Sequence, residues 1–315
     1  MKNSKLIVLA VGGNSLILDE KRKSVQDQYS ACVQTCKEIV RLIEQGHRVV
    51  ITHGNGPQVG FILRRSELAR HELHEVPLDS CDADTQGALG YQFQKAMYNA
   101  TRDWPKKPSV ATVVTQVLVD GQDKSFQNPT KPIGSFMSEA DAKVHKEKDG
   151  WAIVEDAGRG FRRVVASPKP KKIIELDAIK TLIDSGAVVI AVGGGGIPVV
   201  AKASGELEGA EAVIDKDLAS SLLARDLHAD VLVISTAVEK VCINFKKPDQ
   251  KSLDRISLAE AKKYLAEGHF APGSMKPKVE AVIEFLEGGG REALITDPTH
   301  LAPAFEGKAG TWIVQ

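Results

Sequence analysis

The chain has 315 residues, with 41 lysines and arginines against 41 aspartates and glutamates, so its formal net charge is zero. No overall field therefore favours nucleic acid or an anionic membrane, and any anion must be bound by locally placed cations. The length allows one large α/β domain or two smaller ones. No stretch is long enough to span a bilayer. Cys32, Cys36, Cys81 and Cys242 form no C-x-x-C pair, so we expect a protein of the reducing cytoplasm.

The most informative feature is that three apolar strands each lead directly into a glycine-rich turn. The turns are Gly12-Gly13-Asn14-Ser15, His53-Gly54-Asn55-Gly56 and Gly193-Gly194-Gly195-Gly196. Continuous apolar strands are typical of a parallel sheet covered on both faces, and ligands of such sheets bind beyond the carboxyl ends of the strands. Glycine allows backbone N–H groups to close around an anion. One such turn is ordinary, but three together predict a crevice that binds phosphate.

The first part of the chain predicts strands that alternate with helices. After the first strand, apolar residues between positions 25 and 43 keep one helical stripe, and Gly46 follows where a helix should end. The next strand is predicted over 48–52, and the next helix over 59–69. This order is typical of right-handed parallel crossovers. Residues 109–120, rich in valine and threonine, predict one further strand.

Residues 121–170 interrupt this alternation. They contain a proline-rich segment, a charged helix predicted over 139–148, and two strands predicted over 151–155 and 162–166. The segment is too small to build a large core of its own. We therefore interpret it as a lobe inserted over the sheet, within a single domain that spans residues 1–315.

The alternation resumes after the inserted segment. We predict a helix from residue 173, the strand before the third glycine turn, a helix from about 217, a strand over 231–235, a helix over 279–286, a strand over 293–296 and a short terminal strand. The fold class is therefore α/β, with helices around a mostly parallel sheet.

Common nucleotide-binding motifs do not explain the glycine turns. The Walker pattern G-x-x-x-x-G-K-[ST] is absent from the sequence. The dinucleotide pattern G-x-G-x-x-G is not met at any of the three turns, and the protein-kinase motifs are also missing. A nicotinamide-dependent oxidoreductase is accordingly the least favoured enzyme class.

Several cationic residues stand at loops or helix starts. Lys131 lies between two prolines, and Lys216 follows Asp215 directly ahead of an apolar helical stripe. Lys278 follows a glycine-containing loop, and Arg159 lies between two glycines at a predicted hairpin tip. Each alone is more often a solvated surface or capping residue, but a lysine at a helix start also indicates where an anion would be held.

Several uncommon strings resemble carbamate kinases, which are members of the amino acid kinase family. They are Val11-Gly-Gly-Asn14, Thr52-His-Gly-Asn-Gly-Pro-Gln58, Asn128-Pro-Thr-Lys-Pro-Ile-Gly134, Glu155-Asp-Ala-Gly-Arg-Gly160, Gly193-Gly-Gly-Gly-Ile-Pro198, Ala212-Val-Ile-Asp-Lys-Asp217 and Gly268-His-Phe-Ala-Pro-Gly-Ser-Met275. Their order matches the family, and the resemblance extends nearly from end to end. Two positions depart from the family pattern, Ser15 and Lys276, and neither removes a catalytic group.

The resemblance implies a three-layer αβα sandwich around a mostly parallel open sheet, with a small protruding lobe, assembled as a homodimer. It implies that carbamate binds to the N-terminal half and ATP, with Mg²⁺, to the C-terminal half from about residue 187. The implied carbamate-binding residues are Gly12, Gly13, Asn14, Gly54, Asn55 and Gly56, and Arg159 could reach the same anion. The implied catalytic residues are Lys131, Lys216 and Lys278, with Asp217 orienting them. The implied nucleotide-binding residues are Gly194, Gly195, Asp215, Val238, Val241, Ile243, Ser274 and Met275.

The implied reaction converts ATP and carbamate to ADP and carbamoyl phosphate, and in a cell it could run toward ATP synthesis. Carbamate is already an oxyanion and needs no general base, so we interpret His53 as structural. Two alternatives stay open at this point. One is a kinase for another small carboxylate, such as an N-acyl amino acid, and the other is a non-catalytic sensor that binds nucleotide.

Overall fold

The computed structural model describes residues 4–16, 22–155 and 160–315. The helices are α1 Val25–Glu44, α2 Gly56–Ala69, α3 Leu78–Ala100, α4 Glu139–Asp149, α5 Leu176–Asp184, α6 Lys216–Asp226, α7 Leu258–Ala266, α8 Met275–Glu287 and α9 Leu301–Phe305. The strands are β1 Leu6–Val11, β2 Arg48–His53, β3 Val110–Thr112, β4 Gln116–Leu118, β5 Lys131–Met137, β6 Ile153–Glu155, β7 Phe161–Val165, β8 Lys172–Ile173, β9 Val188–Ile190, β10 Ile197–Ala201, β11 Leu207–Gly209, β12 Val231–Ser235, β13 Cys242–Ile243, β14 Lys251–Ser252, β15 Arg255–Ser257, β16 Glu292–Thr296 and β17 Thr311–Val314.

The main sheet has the strand order β15-β17-β16-β12-β1-β2-β9-β3. All neighbouring pairs in this order are parallel except β16 with β17. The central strand β1 is completely buried, as its continuous apolar sequence predicts. The predicted mostly parallel sheet is confirmed.

The side chains of β1 alternate between two separate hydrophobic cores. Leu6, Val8 and Ala10 belong to a core that contains buried residues of α5, α6 and α8. Their neighbours along the strand point to the opposite face, where a second core includes buried residues of α1 and α3. Because successive side chains of a strand leave opposite faces, one strand serves both cores. The predicted three-layer αβα sandwich is thus confirmed.

The predicted first helix is confirmed, and Gly46 follows its end as predicted. Ser24 caps α1 by accepting the N–H of Asp27, whose carboxylate accepts the N–H of Ser24 in return. Gly46 has a φ of +91°, which a glycine adopts without strain. Cys32 and Cys36 lie on the buried side of this helix, as their spacing predicts.

Some elements were not predicted, or were predicted wrongly. The single strand expected over 109–120 is two strands: β3 at the edge of the main sheet, and β4 in a second sheet of order β11-β10-β4-β8. The long helix α3 had no predicted counterpart. It packs against α1, α2 and β3, and its buried face includes Asp82, Thr85, Gln86 and Gln92, so this face is not an apolar stripe.

The segment with the proline-rich strand forms a sheet of its own, with the order β5-β7-β6. It packs on α2 through a close approach of backbones, because a Cβ on Gly60 would lie 2.2 Å from the Cα of Gly134. Ile133 and Val165 of this sheet share a small core with Val59 of α2. The first residue of β5 is consequently held close to the main body of the protein. Among the described residues no helix is both long and apolar enough to cross a membrane.

Candidate active site

The first two glycine turns lie against each other at the carboxyl edge of the main sheet. The N–H of Gly12 donates to the carbonyl of Ser235 at 3.2 Å, and the N–H of Gly54 donates to the carbonyl of Val11 at 2.9 Å. A Cβ on Gly54 would lie only 2.7 Å from the backbone nitrogen of Gly13. A side chain at this position is therefore excluded by the neighbouring backbone.

The third glycine turn closes on the second turn and on the start of α6. Gly194 and Gly195 have φ values of +72° and +104°. A Cβ on Gly194 would lie 2.3 Å from the side-chain nitrogen of Asn55, and one on Gly195 would lie 2.5 Å from the carbonyl oxygen of Ile214. All three turns thus meet in one place, as the parallel sheet predicts.

Two lysines from different helices share one buried carboxylate next to these turns. The ammonium group of Lys216, the first residue of α6, donates to one oxygen of Asp217. The ammonium group of Lys278, on α8, donates to the other oxygen at 3.0 Å. The Asp217 side chain is only 4% exposed, and those of Lys216 and Lys278 are 11% and 18% exposed. The packing of α6 against α8 brings the lysines together.

The third lysine comes from the small sheet. The ammonium group of Lys131, at the start of β5, donates to one oxygen of Asp215 at 2.7 Å. The other oxygen of Asp215 caps α6 by accepting the N–H of Asp217 at 2.9 Å. The group of residues Lys131, Asp215, Lys216, Asp217 and Lys278 is called the lysine cluster below. A Cβ on Gly54 would lie 3.3 Å from the Lys216 side chain, so the cluster adjoins the glycine turns.

The lysine cluster carries more positive than negative charge. Burial lowers the pKa of Lys216, and Lys278 lowers it further, while Asp217 raises it. Burial would raise the pKa of Asp215, but Lys131 and Lys216 hold it well below its usual value. Three ammonium groups and two carboxylates leave one net positive charge. Because buried charges are poorly screened, this excess favours an anion beside the glycine turns.

His53, the last residue of β2, begins the second glycine turn and is fully buried. The pKa of His53 is lowered to about 4, mainly by burial and also by Lys216, while a hydrogen bond with the carbonyl of Gly54 acts in the opposite direction. Its ring stacks on Phe93, and its Nε2 atom has no hydrogen-bond partner among the described residues. This environment agrees with a structural role for His53.

The unpredicted helix α3 supplies buried polar groups to the glycine turns. The amide nitrogen of Asn55 donates to Oδ1 of Asp82 at 2.7 Å and to Oγ1 of Thr85 at 2.9 Å. The amide nitrogen of Gln86 donates to the carbonyl of Gly193 at 2.9 Å. The residues Asn55, Asp82 and Thr85 are called the amide network below. Sequence reasoning missed all the α3 members, although the proline-free run from residue 78 to 100 was compatible with a long helix.

The structure brings part of the predicted site together. The residues that meet are Gly12, Gly13, Gly54, Asn55, Gly194, Gly195, Lys131, Asp215, Lys216, Asp217 and Lys278. Gly56 is the first residue of α2, directly after Asn55. Arg159 lies outside the described residues, as does the side chain of Asn14. Lys276 is 3.8 Å from Glu280 on its own helix.

The other predicted nucleotide-binding residues are not joined to the lysine cluster by hydrogen bonds among the described residues. Val241 is buried and its N–H donates to Thr311, while Ile243 pairs with Lys251. No hydrogen bond or ion pair within the described ranges joins the lysine cluster to the remaining predicted residues, Val238, Ser274 and Met275. Their assignment to the nucleotide stays a prediction.

A metal ion would find few protein ligands here. Within the part of the chain that the structure describes, no group of three or more His, Cys, Asp or Glu side chains could hold a metal ion. The carboxylates of Asp215 and Asp217 accept hydrogen bonds from lysines. These residues fit a metal ion held mainly by the oxygens of a ligand, as Mg²⁺ often is.

Comparison with known proteins shows which proteins this chain resembles. The model of the amino acid kinase family matches residues 5–297. The carbamate kinase of Clostridium perfringens (strain 13 / Type A) is 51% identical over 314 residues, covering 98% of this chain and 99% of that protein. The carbamate kinase-like protein YahI of Escherichia coli (strain K12) is also 51% identical over 314 residues, covering 99% of each.

A solved structure extends the similarity to the fold. The carbamate kinase of Giardia lamblia bound to AMP-PNP is 43% identical, with a TM-score of 0.92, covering 100% of this chain and 99% of that one. The matches extend over the whole arrangement of glycine turns and lysine-bearing helices. The chain belongs to the amino acid kinase family.

Proposed function

We propose that the protein is a carbamate kinase, which transfers a phosphoryl group reversibly between ATP and carbamate. The observation that carries the proposal is the convergence of Lys131, Lys216 and Lys278 beside the glycine turns. The three lysines come from β5, α6 and α8, and each is held by an aspartate. The similarity to carbamate kinases over nearly the full chain supports this substrate assignment.

The chemistry needs alignment and positive charge more than it needs proton transfer. An oxygen of carbamate attacks the γ-phosphorus of ATP, the bond from that phosphorus to the β–γ bridging oxygen breaks, and ADP leaves with the bridging oxygen. Carbamate enters as an oxyanion, so no proton has to be removed. The neutral, buried His53 fits this requirement. Phosphoryl transfer passes through a loose transition state in which negative charge develops on the phosphoryl oxygens. The lysines would stabilise this charge.

The net positive charge of the lysine cluster supports a role at the transferring group. While Asp215 and Asp217 hold the lysines, the amines remain oriented before the substrates arrive, and reorganisation during the reaction is small. We propose Asp217 as the residue that orients Lys216 and Lys278, because each of its oxygens accepts from one of them.

We also propose ATP as the donor, with Mg²⁺ bound mainly by its phosphates and water. A Giardia lamblia relative binds the ATP analogue AMP-PNP, which supports this donor. When bound, Mg²⁺ would neutralise phosphate charge. The nucleotide would lie on the C-terminal side, from about residue 187, with the adenine near Val238, Val241 and Ile243. Carbamate would lie at Gly12, Gly13, Asn14, Gly54, Asn55 and Gly56.

The physiological direction, the assembly and the location belong to the same proposal. Carbamoyl phosphate is a reactive mixed anhydride, so we propose that the enzyme makes ATP from it. We propose a homodimer in the cytoplasm. The four cysteines are all free, as expected in a reducing compartment. Light scattering of the purified protein would test the dimer, and a mass of 34.0 kDa in solution would contradict it.

The decisive experiment measures ATP by luminescence after mixing the protein with carbamoyl phosphate, ADP and Mg²⁺. We expect ATP to form in proportion to enzyme, and to disappear when ADP is omitted. In the other direction, carbamate, acetate and N-acetylglutamate should be compared as acceptors of phosphate from ATP. Faster turnover with N-acetylglutamate would favour the other small-carboxylate kinase. Tight ATP binding without turnover of any acyl phosphate would favour a sensor.

A further inference from the structure

The amide group of Asn55 is held in one orientation by α3. Its nitrogen donates to Asp82 and to Thr85, so both of its N–H bonds are used. Asn55 is 2% exposed, and Asp82 and Thr85 are each 1% exposed. Because this network is shielded from water, turning the amide over would leave buried groups without partners.

The direction of these hydrogen bonds is determined by Thr85. Its hydroxyl donates to the carbonyl of Asp82 at 2.7 Å, so the hydroxyl oxygen can only accept from Asn55. Burial raises the pKa of Asp82 well above its usual value, while the hydrogen bond from Asn55 opposes this shift. Its Oδ1 atom accepts from the amide nitrogen of Asn55 at 2.7 Å.

The oxygen of the Asn55 amide is left without a hydrogen bond from the described residues. It lies 3.0 Å from the position that a Cβ on Gly194 would occupy, where the second and third glycine turns meet. Asn55 follows Gly54, which itself contacts Gly13 and the side chain of Lys216. A free acceptor therefore lies at the edge of the site proposed for carbamate.

We propose that Thr85 and Asp82 are positioning residues that present the Asn55 oxygen to an N–H of the acyl substrate, and so select carbamoyl over acetyl groups. This inference rests on the proposed function and adds a reason for its substrate preference. Carbamate and carbamoyl phosphate carry an amino group that can donate a hydrogen bond. Acetate and acetyl phosphate carry a methyl group of similar size that cannot.

The orientation of the amide matters because the crevice otherwise favours oxyanions. Glycine N–H groups and lysines attract the oxygens of the substrate, whereas an amide oxygen repels them. A site with one fixed acceptor would therefore bind the planar acid with its amino group at Asn55 and its oxygens elsewhere. Sites built to accept a hydrogen bond discriminate strongly against an analogue that lacks the donor.

The test compares Thr85→Val with Thr85→Ser in ATP synthesis from carbamoyl phosphate and from acetyl phosphate. Valine has the shape of threonine but cannot accept from Asn55, so the amide gains freedom to turn. We expect KM for carbamoyl phosphate to rise about tenfold and KM for ADP to stay unchanged. The rate of the slower reaction with acetyl phosphate should change by less than about twofold. Serine keeps the acceptor, so Thr85→Ser should retain the preference of the wild type.

A second pair of variants tests the other acceptor. Asp82→Asn keeps an oxygen that can accept from Asn55, and we expect it to retain the preference for carbamoyl phosphate. Asp82→Leu removes the acceptor and should lose about as much of the preference as Thr85→Val. Thermal unfolding of every variant identifies any that fail to fold.

The outcomes separate this inference from the proposed function. A wild type that makes no ATP from carbamoyl phosphate would overturn the function and the inference together. If the wild type is active, unchanged selectivity in Thr85→Val overturns the inference alone. An equal loss with both acyl phosphates would also overturn it, since that would mean a general structural role.

Discussion

The lysine cluster and the amide network lie side by side at the same edge of the sheet, but they are built by different means. In the lysine cluster, buried and partly buried ammonium groups are paired with carboxylates and retain a net positive charge. In the amide network, Asn55 uses both of its amide N–H bonds, and its own oxygen is left free. The difference suits the two ends of the proposed substrate. Transfer of a phosphoryl group needs positive charge around it, whereas recognition of a small planar acid needs hydrogen-bonding groups in fixed orientations.

The largest expected effect comes from removing one positive charge of the lysine cluster. Lys216→Ala should lower kcat for ATP synthesis by about 100- to 1,000-fold, because an ammonium group near the transferring phosphate is lost. The measurement is steady-state kinetics with carbamoyl phosphate and ADP. Lys308→Ala is the matched control, since Lys308 is also paired with a carboxylate, at 2.7 Å from Glu306, but is 71% exposed. Turnover of the Lys216 variant within about twofold of the control would contradict the catalytic assignment.

The buried histidine of the second glycine turn should affect the pH dependence of stability. His53 has a pKa of about 4 in the folded protein against 6.5 ordinarily, so the unfolded chain binds the proton first as the pH falls. The free energy of unfolding should therefore be unaffected by His53 above pH 6.5. Between pH 6.5 and pH 4 it should fall, by at most about 3 kcal/mol in total. Urea unfolding of wild type and His53→Gln at several pH values isolates this slope. Parallel curves for the two proteins across this interval would contradict the assignment.

The contact between the third glycine turn and Asn55 should be sensitive to a single methyl group. Gly194→Ala combines a φ of +72° with a Cβ placed 2.3 Å from the Asn55 amide, so we expect it to cost about 2 to 3 kcal/mol of unfolding free energy. Gly205→Ala is the matched control, because its φ is +87° but no atom lies within 4 Å of the added Cβ. It should cost about 1 kcal/mol through backbone strain alone. Equal losses in chemical denaturation would show that the contact with Asn55 contributes nothing.

The smallest effect is expected where the lysine–aspartate geometry of the site recurs on the surface. Lys171 donates to Asp120 at 2.6 Å, nearly the distance of the Lys131–Asp215 pair, but both side chains are mostly solvated. Exposed pairs contribute little because water and salt screen them. Lys171→Ala should leave both the midpoint of thermal unfolding and the rate of ATP synthesis unchanged within error. A clear loss of activity would mean that burial is not what distinguishes the lysines of the site from this exposed pair.

Much of the site could be predicted from local patterns. The glycine turns are recognisable because each follows a continuous apolar strand, and Lys216 is recognisable because it stands at the start of an apolar helical stripe. The helix α3 could not be predicted in the same way. Its buried face carries polar residues, among them Asp82, Thr85 and Gln86, which interrupt the apolar stripe by which amphipathic helices are identified. Asp82 and Thr85 therefore had no assigned place before the fold was known.

By itself the sequence determined the mostly parallel sheet, the positions of the three glycine turns and the presence of lysines at helix starts and in a proline-rich segment. These features depend on residues that are close along the chain. Only the tertiary structure decided that Lys131 pairs with Asp215, 84 residues away, and that Lys278 shares Asp217 with Lys216 from 61 residues away. It also decided that α3 orients Asn55. Such pairings arise when packing brings distant segments together, and local propensity carries no information about which partners will meet.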